Sequence, residues 1–179
     1  MLGMAQESYS PSLISLHEFE GGNGISSQRC YVLTLLSFTI YLDFGIWNRQ
    51  TKLGKAFDSS TIFVLPNGAR RSPDVSWIKL EKWNQLTGAQ QDGFPPLAPD
   101  FVIELVSPSD LKNQRYEDLQ AKMQEYIDNG VQLGWLIEPA AKIVEIYRPG
   151  KQVEVLNNPQ TLLGENVLPG FVLDLGEIF

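Results

Sequence analysis

In the stretch "PDFVIELVSPSD", Pro99 to Asp110, one carboxylate interrupts an apolar run. Phe101, Val102, Ile103, Leu105 and Val106 read as a buried strand, and Glu104 sits among them. A lone carboxylate there is costly to desolvate unless something compensates its charge. Asp74, in "RSPDVSWI", is the best candidate partner. Pro73 precedes it and Val75, Trp77 and Ile78 follow, so it falls near the start of a second strand. If the two strands pair, both carboxylates lie on one sheet face near a strand end. Carboxylates that close repel, and one is forced to protonate unless a divalent cation joins them. Mg²⁺ takes one or two carboxylates, backbone carbonyls and waters, which suits this donor set, with Mn²⁺ as the alternative. The backbone carbonyl of Leu105 offers a further oxygen. Such a metal lowers the pKa of a bound water and stabilises charge on a phosphate. A lysine completes the chemistry by orienting or deprotonating that water. Lys122 is the candidate, at the edge of the apolar face of the helix that follows; Lys112 is nearer in sequence but sits at the helix start.

Each of these residues also has a plainer reading. An Asp after Pro at a strand start is often a turn or cap residue. Glu104 can belong to a structural ion pair. Lys122 can be a helix lysine that lays its stem on apolar surface and keeps its charge in water. Ser107 and Ser109 suit the strand-to-helix turn better than nucleophilic chemistry, because no histidine base is at hand. Trp135 and Tyr147 read as core.

What the chain lacks narrows the options further. Cys30 is the single cysteine and His17 the single histidine among 179 residues. That excludes an internal disulfide, a cysteine-based zinc site and a His-rich metal site. His17 lies in a polar stretch with no motif around it. Carboxylates and lysine are left to carry any catalysis. A net charge of -7 argues against a strongly basic, nonspecific nucleic-acid coat. It leaves room for a local basic patch, of which Arg70-Arg71 is one. The apolar run "YVLTLLSFTIYL", Tyr31 to Leu42, is 12 residues long, short of the roughly 20 that span a bilayer. No secretory signal is evident, so a cytoplasmic protein without a membrane partner is expected.

The elements that must position these residues follow from pattern. Residues 1–25 are polar and turn-rich and are expected to be irregular; residues 26–179 are expected to form one domain. Residues 26 to about 50 read as a helix despite β-branched Val32, Thr34, Thr39 and Ile40. "STIFVL" and "SPDVSWI" read as the two arms of a hairpin joined by the Asn67-Gly68 turn. A short helix in a long loop is expected within "KLEKWNQLTGAQQDGFPPLAP". "DFVIELVS" reads as a central strand. Ser109 or Asp110 is placed to cap a helix running to about Asn129, and Gly130 to stop it. "LGWLIEP", "KIVEIYRP" and the edge candidate "QVEVL" are further strands, and the apolar tail "LPGFVLDLGEIF" is expected to pack back on the domain. A strand–helix–strand unit at the centre predicts parallel or mixed pairing, hence an α/β or α+β fold with a mixed sheet.

Taken together, "RSPDVSWI", "PDFVIELVSPSD" and "DLQAKMQEYIDNGVQLGWLIEP" resemble the Uma-type family of bacterial putative restriction endonucleases, over about residues 47 to 179. That family belongs to the restriction-endonuclease-like, PD-(D/E)XK, superfamily. The resemblance implies a mixed β-sheet flanked by helices. It matches Asp74 and Glu104 to the two acidic metal ligands and Lys122 to the catalytic lysine. The superfamily usually places that lysine two residues after the Glu. Here the position is Val106, so the lysine has moved to the following helix. The N-terminal part departs from the family: the helix is unusually apolar, and its usual additional acidic residue has no clear counterpart, Glu18 and Glu20 being unaligned.

Two functions remain. The first is a Mg²⁺-dependent endonuclease hydrolysing phosphodiester bonds of DNA, with a homodimer expected by analogy with double-strand cutting. The second is a catalytically inactive nuclease-fold protein that binds nucleic acid or oligomerises. The apolar N-terminal helix and the acidic balance favour the second, with Trp47, Phe57 and "YVLTLLSFTIYL" as its contact surface.

Overall fold

The computed structural model describes residues 25–107, 110–112 and 115–179, with side chains for all of these except residues 25–33 and Lys112. His17, Glu18, Glu20 and Ser109 lie outside the described residues, as does all but Ile25 of the expected irregular segment 1–25, and so does the side chain of Cys30.

In chain order the elements are α1 (Ile25–Thr51), β1 (Gly54–Asp58), β2 (Phe63–Val64), β3 (Arg70–Arg71), β4 (Val75–Lys79), α2 (Leu80–Trp83), α3 (Gly88–Asp92) and β5 (Phe101–Leu105). A 3₁₀ turn (Asp110–Lys112) follows, then α4 (Arg115–Asp128), β6 (Leu133–Glu138), β7 (Ile143–Tyr147), β8 (Glu154–Asn157), β9 (Thr161–Leu163) and β10 (Val172–Asp174). Six strands form the main sheet in the order β1-β4-β5-β6-β7-β8. β5 and β6 run parallel, and the other neighbours are antiparallel. A parallel pair needs a crossover, and α4 supplies it. The fold is the mixed sheet flanked by helices that the sequence predicts.

Strand alternation divides the core in two. Phe101, Ile103 and Leu105 of β5 pack on the side of α1, with Trp135 of β6 and the tail residues Phe171, Leu173 and Ile178. Val102 and Val106 pack on the opposite side with Met123, Tyr126 and Ile127 of α4. Glu104 lies between Val102 and Val106 in sequence and faces α4 with them. α1 sets Ile40, Phe44 and Trp47, at helical spacing, against the sheet, while Leu35, Phe38, Leu42 and Ile46 stay exposed. Apolar residues on both sides explain why the helix looks unusually apolar. Trp47 is core rather than contact surface, and its indole N–H donates to the Pro169 carbonyl at 3.2 Å. Phe57 is half-buried between the rings of Phe63 and Trp83. No helix among the described residues is long and apolar enough to cross a membrane.

Two expectations are corrected. "STIFVL" and "SPDVSWI" are not arms of one hairpin. Phe63–Val64 pairs with Arg70–Arg71 around the Asn67-Gly68 turn, where Gly68 has φ +85°. β4 instead pairs with β1 on one side and β5 on the other. Pro73 lacks a donor and breaks the ladder between the two segments. Val75 to Ile78 are all buried, so their backbone N–H and C=O groups need hydrogen-bond partners from neighbouring strands. The segment after β5 also does not open as an α-helix: Asp110–Lys112 is a 3₁₀ turn, and α4 spans Arg115–Asp128. Beyond the expectations, the tail contributes the β9–β10 hairpin.

Gly134 lets α4 close on the sheet. A Cβ there would stand 2.7 Å from the Met123 methyl and 3.4 Å from a Val102 methyl. Gly134→Val should therefore overpack this contact and cost about 1–3 kcal/mol in urea unfolding. An unchanged midpoint would show that α4 does not bear on Gly134.

Candidate active site

β4 and β5 pair with Val75 opposite Ile103, so the next step of the antiparallel ladder sets Asp74 opposite Glu104. Asp74 enters from the turn before β4, and its carboxylate accepts a hydrogen bond from the Leu105 N–H at 2.8 Å. Burial pushes its pKa up. The Leu105 N–H and the Lys122 charge oppose that shift, and the Asp110 charge adds to it. Asp110 itself closes the turn after β5, accepting from the Ser107 N–H at 2.9 Å and from the Ser107 hydroxyl. Ser107 thus serves the strand-to-helix turn.

Glu104 is 4% exposed. Lys122 Nζ lies 2.6 Å from its Oε1, and the Tyr126 hydroxyl donates to the same oxygen at 2.9 Å. Lys122 and Tyr126 are four residues apart on α4, one helical turn, so a single helix face delivers both. The ammonium also lies 5.8 Å from the Tyr126 ring centre, within cation–π range. Burial raises the Glu104 pKa to about 7. The Asp74 charge pushes in the same direction, and Lys122 and Tyr126 push against it. The Tyr126 hydroxyl is itself pushed far up by burial and by Glu104, so it keeps its proton and donates.

The structure thus brings Asp74, Glu104, the Leu105 backbone and Lys122 to one place, at the C-terminal end of β5. The donors that could hold a cation are all hard oxygens. Among the described residues no cluster of three or more His, Cys, Asp or Glu side chains is suited to a metal. Any cation here would rest on the two carboxylates, backbone oxygen and water, a set that fits Mg²⁺.

The Uma2 family model, described as putative restriction endonuclease, matches residues 32–176. The chain belongs to the Uma2 family. The fold of this Uma2 chain is similar to that of a putative nuclease belonging to DUF820 from Anabaena variabilis. The TM-score is 0.66 at 20% identity, over 82% of this chain and 79% of that one. No curated protein matches the sequence. Family membership makes nucleic acid the expected class of substrate, and restriction-endonuclease-like families generally use divalent metal ions.

In this Uma2 chain Val106 is buried against α4. Two carboxylates near the site, Glu125 and Glu145, escaped the sequence reading. Arg71 Nε pairs with Glu125 of α4 at 2.6 Å, and the Asn67 amide donates to the same carboxylate at 2.9 Å, which ties the β2–β3 hairpin to the helix. Glu145, on β7, is 5% exposed. Its signal was available: an acidic residue inside the apolar run "KIVEIY", the feature that singles out Glu104.

A carboxyl whose folded pKa lies above its unfolded value binds more protons in the native state. Its stabilising contribution is complete below the unfolded pKa of about 4.3 and is lost as pH rises through about 7. Wild-type protein should therefore lose stability relative to Glu104→Gln between those limits. Lys122→Met should carry the upper limit higher. Urea titrations at several pH values check both; a difference that stays flat with pH would show that Glu104 titrates normally.

Proposed function

We propose that this Uma2 chain is a Mg²⁺- or Mn²⁺-dependent endonuclease that hydrolyses phosphodiester bonds of DNA. The observation that carries the reading is the Lys122 ammonium on Glu104 at 2.6 Å, opposite Asp74 across the β4–β5 ladder. Asp74 and Glu104 would hold the cation. The Leu105 N–H already faces Asp74, and in an extended strand the N–H and C=O of one residue point to the same side. That orientation supports the Leu105 carbonyl as a third protein oxygen.

When bound, the metal supplies Lewis-acid stabilisation of the phosphate and a water of lowered pKa. The chain supplies position and charge. Lys122 reaches the site from a helix rather than from the strand, and its ammonium orients the attacking water and offsets charge developing on the phosphate. Tyr126 keeps Glu104 in place through Oε1. Apolar Val102 and Val106 flank Glu104 and limit water at the carboxylates, which strengthens each electrostatic contact.

A second reading is an inactive nuclease-fold protein that oligomerises. The exposed row Leu35, Phe38, Leu42 and Ile46 on α1 favours a homodimer under either reading.

Purified protein should cleave supercoiled plasmid with Mg²⁺ or Mn²⁺ and not with EDTA. Asp74→Ala and Glu104→Ala should each lower the rate by at least ~100-fold, about 3 kcal/mol of barrier, and Lys122→Ala by a similar amount. Equal cleavage by wild type and all variants would point to a contaminant and sink the assignment. No cleavage by wild type, with a dimer in sedimentation, would favour the second reading.

A further inference from the structure

We propose that Glu145 is a positioning residue: with Tyr116 and Gln120 it fixes the first half of α4, and so holds Lys122 over Glu104. The inference rests on the reading of Lys122 as a site residue.

Glu104 of β5 is in register with Leu136 of β6, and Leu136 with Glu145 of β7. The two buried carboxylates therefore lie in one row across the sheet, with β6 between them, both beneath α4. The helix grips each of them. Tyr116 donates its hydroxyl hydrogen to Glu145 Oε1 at 2.8 Å, and Gln120 donates an amide hydrogen to the same oxygen at 2.7 Å. Tyr147, from β7 itself, donates to Oε2 at 2.5 Å. Burial, then Glu145, push both tyrosine hydroxyls well above their ordinary pKa, so both keep their protons and remain donors.

Tyr116 and Gln120 are one helical turn apart, and so are Lys122 and Tyr126. The two pairs follow one another along the helix: the first ties α4 to β7, the second to β5. A helix tied at one strand can swivel about that contact; one tied at two strands cannot. Among the described residues no hydrogen bond or ion pair joins Glu145 to Lys122 or to the carboxylates of the site; its hold on α4 runs through Tyr116 and Gln120. It acts through the helix. Without it, three donors lose their acceptor and turn toward water. The first half of α4 then relaxes, and Lys122 leaves Glu104.

Lysine acylation followed by peptide mass spectrometry tests this in the absence of DNA. Lys82 is the internal reference, held by the Ala98 carbonyl at 2.6 Å near the other end of β5. Glu145→Ala should raise acylation of Lys122 about tenfold and leave Lys82 unchanged, and Tyr116→Phe should give a smaller rise in the same direction. Glu145→Gln keeps one acceptor oxygen and should fall between wild type and Glu145→Ala. Unchanged Lys122 reactivity in folded Glu145→Ala overturns the proposal. So does a matched rise at Lys82, which signals general loosening. If Glu145→Ala does not fold, Tyr116→Phe decides by the same criterion. Because the measurement needs no cleavage, an inactive wild type would refute the nuclease reading without touching this result.

Discussion

The contact between Lys122 and Glu104 governs how the α4 side of the sheet is built. A buried ion pair is seldom the most stable filling for a core: apolar residues of equal volume are often as good or better, while removing one partner leaves a charge stranded. Glu104 therefore demands that α4 be present, in one rotation and at one height, before β5 can be buried. Gly134 permits the approach, Tyr126 shares the carboxylate, and the Arg71–Glu125 pair closes the helix from its outer side. Each of these would be superfluous over a leucine.

The other side of the sheet answers to a different constraint. There Phe44, Trp47, Phe101, Trp135 and Phe171 pack ring against ring, with Phe101 and Trp135 edge-to-face at 4.8 Å. Such pairs contribute about 0.5–1.5 kcal/mol each beyond the area they bury. Strand alternation lets both constraints coexist: Ile103 and Leu105 belong to the apolar side and Glu104, between them, to the polar one. The aromatic side provides a stiff backing, so α4 can carry polar contacts without loss of order in β5.

Much of this was legible residue by residue. Glu104 announced itself because a charge in an apolar run needs compensation, and Asp74 because Pro73 marks the start of a strand. The position of Lys122 already placed it at the edge of the apolar face of its helix. What escaped was information about pairing. The β2–β3 hairpin and β4 read as one unit because the Asn67-Gly68 signal says where a turn lies and not how far its arms extend; Pro73 set that limit. Glu145 escaped although "KIVEIY" breaks its pattern as "FVIEL" does. Its partners, Tyr116 and Gln120, are 29 and 25 residues away, and the β6–β7 register is needed to bring them together. The short β9–β10 hairpin carries too few residues for its alternation to stand out.

The parallel pairing of β5 with β6 bears on how the protein folds. These two strands can meet only after the chain from Val106 to Gln132 has crossed the sheet, and that crossing contains α4. Closing a loop of that length is slow compared with a hairpin, and the loop-closure entropy is offset only when the contacts on the far side form. Lys122 and Tyr126 meeting Glu104 are among those contacts. Joining β5 to β6 therefore also brings α4, and Lys122 with it, to the face of the sheet that holds Glu104.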